Sequence, residues 1–63
     1  MIYKFEDTRA NVSCALEVEL NNDKDKVVFS VEDCKEFVGS ILLSKEDIYS
    51  FIGALHLLHK QMK

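Results

Sequence analysis

Between Leu43 and Lys63 the apolar residues Ile48, Phe51, Ile52, Leu55, Leu58 and Met62 recur every three or four positions. That spacing lines side chains along one side of a helix with 3.6 residues per turn. The start of the segment is marked independently. Ser44 and Asp47 form a Ser-x-x-acid capping box, whose hydroxyl and carboxylate satisfy backbone N–H groups left free in the first turn. Leu43 and Ile48 flank that box as a hydrophobic staple, and acids at the beginning (Glu46, Asp47) with bases near the end (Lys60, Lys63) suit the helix dipole. One amphipathic helix is predicted.

The first part of the chain alternates with a period of two instead. Ile2 to Glu6 sets Tyr3 and Phe5 among alternating neighbours, and Val12 to Leu20 places Val12, Cys14, Leu16, Val18 and Leu20 on one face, with Ser13, Ala15, Glu17 and Glu19 on the other. Lys26 to Val31 is β-branched and aromatic with valine on both faces, which suits a strand inside a sheet. Polar runs at Asp7–Asn11 and Asn21–Asp25 connect these segments, and the charged run Glu32–Glu36 is expected to turn the chain into a fourth strand over Phe37–Leu43. A second helix over residues 31–43 competes for this last part, since Ser30 and Asp33 make another capping box and Val31, Cys34, Val38 and Ile41 recur at helical spacing. Gly39 and Ser40 in its interior weigh against it. The expected fold is therefore α+β: an antiparallel four-stranded sheet in the order ββββα, with one C-terminal helix packed on it. Leu16 and Val18 are expected at the centre of the apolar face that meets the helix, and Ile52 and Leu55 are expected to face the sheet.

Composition narrows what such a domain can do. The 63 residues, 48% hydrophobic and 30% charged, suit a single compact domain spanning residues 1–63. Chains this short bury only about 60% of their unfolded surface, so they commonly recruit a disulfide, a metal or a partner chain. The net charge is −3, and no basic run offers the footprint that phosphate binding demands. Cys14 and Cys34 are too few to announce a disulfide framework. With no secretory segment and no apolar run of bilayer length, a cytoplasmic protein without membrane contact is expected.

Candidate chemistry is sparse. His56 and His59 lie one turn apart, a spacing compatible with a metal, yet further ligands are lacking; a half-buried His59 and a solvated His56 account for both. Cys34 beside a histidine would need a held base and an enclosed pocket to act as a nucleophile, and Glu46 with Asp47 is explained by capping. No enzymatic activity, cofactor or metal is expected. The feature that calls for a partner is the side of the helix away from the main stripe, where Tyr49, Gly53 and Leu57, with His56 beside them, follow at four-residue spacing. An apolar strip around a mid-helix glycine suits close approach by a second copy or another protein.

The run Phe-Val-Gly-Ser-Ile-Leu-Leu-Ser-Lys-Glu-Asp-Ile at residues 37–48, followed by the long helix, resembles the layout of whirly-like and positive-cofactor-like single-stranded DNA binders. The resemblance covers element order and implies dimers formed through the helix and nucleic acid held across a curved sheet. Tyr3 and Phe5 would then stack on bases, with Lys4, Arg9 and Lys26 near phosphates. Glu17 and Glu19 stand where that reading wants cations. The first expectation is a non-enzymatic protein-interaction or assembly module, homodimeric, with an acidic surface suited to a basic protein partner. In size and charge it resembles accessory and inhibitor proteins of phages and mobile elements.

Overall fold

Strand pairing, not strand propensity alone, decides which side of each segment faces inward. The computed structural model describes residues 1–63 and contains strands β1 (Tyr3–Glu6), β2 (Cys14–Leu20), β3 (Lys26–Asp33) and β4 (Glu36–Ser44), followed by helix α1 (Lys45–Gln61). The strands form one antiparallel sheet in chain order, so the predicted α+β arrangement is observed, and residues 31–43 form strand and turn instead of the competing helix. β3 lies inside the sheet, as its valines require.

The register sorts the residues onto two faces, because directly opposed residues in an antiparallel sheet point the same way. One face carries the rows Tyr3–Val18–Phe29–Ile41, Phe5–Leu16–Val31–Gly39 and Leu20–Val27–Leu43. It is apolar throughout these rows. The other face carries Lys4–Glu17–Ser30–Ser40, Glu6–Ala15–Glu32–Phe37 and Glu19–Val28–Leu42, and is rich in acids.

The β3–β4 connection is tighter than the charged run suggested. It is a two-residue turn in which Cys34 and Lys35 both take the left-handed conformation (φ 53° and 66°), the backbone that matches the twist of a hairpin. β3 and β4 therefore extend through Asp33 and from Glu36, and a bulge sets Val31 opposite Gly39 but Glu32 opposite Phe37, leaving Val38 without a partner. In the β2–β3 connection the Asn21 side chain accepts from the backbone N–H groups of Asp25 and Lys26 at 3.1 Å each, which fixes that turn with Lys24 left-handed (φ 59°).

The capping box is present: Asp47 N–H donates to Ser44 Oγ at 3.3 Å and Ser44 N–H to Asp47 Oδ2 at 3.4 Å. Ser44→Ala is expected to destabilise the fold by about 1 kcal/mol, the usual worth of an N-cap. Urea unfolding with the slope unchanged is the check.

Packing departs from the expected picture. α1 meets only β3 and β4, chiefly through Phe51, whose ring stands edge-on to Phe29 at 5.2 Å and 75°. Ile48 and Phe51 are half-buried, whereas Ile52 and Leu55, expected to cover the sheet, remain 60% and 48% exposed. Leu16 and Val18 are not the seat of the helix, since β2 makes no contact with it. The reason is geometric: α1 continues from the end of an edge strand and passes beyond the sheet after its first two turns. Ala15, at 8% exposure, is the one buried residue. It lies on the polar face, beneath the ion pair that Lys4 of β1 makes with Glu32 of β3 over the top of β2 (2.8 Å). The chain has a radius of gyration of 13.2 Å against about 10.6 Å for a globule of this length.

Candidate functional site

Two surfaces stand out, and they lie on opposite faces of the sheet. The apolar rows leave Tyr3, Phe5, Leu20, Val31 and Ile41 exposed, and the helix adds Ile52, Leu55, Leu58 and Met62, also exposed. Phe51 on Phe29 places α1 on the apolar side of the sheet, so strand face and helix stripe belong to one continuous surface. Alternation and helical periodicity each found their half of it. Neither signal could show that the two halves fail to cover each other.

The polar face is organised by charge. Glu32 is held below the usual glutamate range by the Lys4 ammonium, while the neighbouring Glu17 carboxyl is pushed up because it shares a hydrogen bond with Glu32 and feels its charge. Glu17 therefore binds its proton more tightly in the folded chain than in the unfolded one. The stability it contributes is present below its unfolded range and is lost as pH rises through its folded value, the reverse of an ion-paired acid. Glu32→Gln is expected to return the Glu17 titration, followed by carboxyl carbon NMR, toward the ordinary glutamate range.

The five residues named for nucleic-acid contact do not form one basic track. Tyr3 and Phe5 lie on the apolar face, and Lys4 lies on the acidic one, bound to Glu32. Arg9 is engaged by Asp7 at 2.7 Å, which holds that carboxyl down to about 2, and Lys26 reaches Asp25 at 3.3 Å. Each cation already has a carboxylate.

Tyr49, Gly53, His56 and Leu57 project from α1 into solvent, with Tyr49 83% exposed and open space where a Gly53 Cβ would stand. His59 is exposed as well, not half-buried as expected, because nothing lies beneath that part of the helix. No three His, Cys, Asp or Glu side chains gather where they could hold a metal ion. Cys14, on the apolar face of β2, is half-buried and donates to Asp33 Oδ1 at 3.5 Å. Burial first and Asp33 second push its thiol up, and Asp33 does the same to Cys34, so both positions disfavour the thiolate that nucleophilic chemistry uses. No helix is long and apolar enough to cross a membrane. Comparison with models of protein families, with curated proteins and with solved structures finds no match.

Proposed function

We propose that this protein is a non-enzymatic assembly module that works as a homodimer and presents the acidic face of its sheet to a basic protein partner. The observation that carries the first half is the surface of a single copy. It exposes 5757 Å², whereas a folded monomer of 7.3 kDa exposes about 4,200 Å², and the excess coincides with apolar side chains. Exposed apolar area on that scale favours association.

The acidic face supports the second half. Glu6, Glu17, Glu19 and Glu32 share one side of the sheet with Lys4 and Lys26 as its cations within the paired strands, and the strain between Glu17 and Glu32 would be relieved by an incoming guanidinium or ammonium. Complementary charge of this kind guides encounter and orientation. A cytoplasmic setting belongs to the same proposal and is motivated by the two free thiols. Sedimentation from low to high micromolar concentration tests the dimer; a monomer throughout defeats it. An arginine-rich peptide tests the face. Binding should weaken with salt and on Glu17→Lys, and a peptide that ignores both changes removes the acidic face from the reading.

A further inference from the structure

We infer that the two copies exchange helices: the far half of α1 from each copy lies on the apolar sheet face of the other. This rests on the homodimer proposed above and names the surfaces that meet. Orientation comes first. Phe51 against Phe29, and Ile48 at the recess it shares with Leu43 and Val27, fix which side of α1 faces the sheet. With 3.6 residues per turn, Ile52, Leu55 and Met62 continue along that same side. They run past the sheet that their own first turns touch, since α1 meets neither β1 nor β2. The stripe is aimed at apolar surface and finds none in its own chain.

The seat is equally specific. The rows Tyr3–Val18–Phe29–Ile41 and Phe5–Leu16–Val31–Gly39 contain no charged residue, so a basic partner would find nothing to pair with there, whereas an uncharged helical stripe is its chemical match. Each copy offers one stripe and one seat, and a two-fold axis satisfies both in a single closed step. Area agrees with this arrangement. Removing the excess of about 1,600 Å² from each copy would bury about 3,200 Å² in the pair, inside the range of obligate dimers. The strip at Tyr49, Gly53 and Leu57 points away from the sheet and offers far less.

Mixed dimers of isotope-labelled and unlabelled wild-type chains decide the matter by filtered NOE measurement. Contacts between the Leu55 methyls of one chain and the Phe5 or Tyr3 ring of the other are expected. Intermolecular contacts confined to Tyr49 and Leu57 would overturn the exchange and leave the homodimer standing, while a single sedimenting monomer would end both. Gly53→Ala gives a second readout in a chain that keeps its helix. Its dimerisation constant should stay within about twofold of wild type, as for a site remote from the contact; weakening by about tenfold or more would put the seam on the glycine strip and refute the exchange.

Discussion

If the proposed helix exchange holds, replacing Leu55 by aspartate is expected to weaken dimerisation by about four orders of magnitude. Leu55 is 48% exposed and α1 meets no strand beyond β4 and β3, so within a single chain it has little left to lose. In the proposed dimer its effect comes from the partner. Burying a leucine side chain contributes roughly 1.5–3 kcal/mol, and a carboxylate in the same apolar seat adds a desolvation cost on top. The proposed two-fold symmetry would place the change twice in every dimer. At about 3 kcal/mol per site the loss is about 6 kcal/mol, or roughly 10⁴ in the association constant. Sedimentation of the variant should show monomer where wild type is dimeric, and unfolding should lose its dependence on protein concentration, as mass action requires. Leu57→Asp is the control. It lies on the side of α1 that the exchange leaves in water, where substitutions usually stay within about 0.5 kcal/mol.

Leu55 and Leu57 differ in a way that local sequence rules do not resolve. Local rules placed the capping box at Ser44 and Asp47, the alternation of β2 and the interior position of β3, because each rests on neighbours close in sequence or on a period of two. The turn at Cys34 and Lys35 is masked by composition: five charged or polar residues suggest a loop, while the strands continue through three of them. Ala15 was assigned to the wet side by alternation, which is correct for its direction. Its burial arises from the Lys4–Glu32 ion pair that crosses above it, a contact between strands that are not adjacent. The stripe from Ile48 to Met62 was legible as apolar, but periodicity says nothing of what lies beneath a stripe. That depends on where the helix leaves the sheet, which only the register of β4 and the direction of α1 supply. For the same reason periodicity singles out Tyr49 and Gly53 as the strip left for a partner, since it takes the main stripe to be covered.

That direction depends on one aromatic pair, and Phe51→Ala is expected to cost about 2–3 kcal/mol. Complete removal of a buried phenylalanine costs roughly 3–5 kcal/mol, and Phe51 is only half-buried, which scales the value down. Part of what remains is the edge-on contact with Phe29 at 5.2 Å, since such pairs contribute about 0.5–1.5 kcal/mol beyond area. A double-mutant cycle of Phe29→Ala and Phe51→Ala in urea unfolding, run at one protein concentration, should return a coupling in that range. The helix itself should survive in far-UV circular dichroism, because Ser44 and Asp47 still cap it, whereas dimerisation should weaken along with stability. The capping box sets where α1 begins, but only Phe51 and Ile48 set the side it turns to the sheet. A helix free to rotate about its first turn no longer presents Ile52 and Leu55 to a second copy. Phe51→Leu separates the two contributions: it keeps apolar volume and loses the ring, so it should recover most of the stability and none of the coupling to Phe29. A Phe51→Ala variant that unfolds and dimerises like wild type would mean that the helix is held by contacts other than this pair.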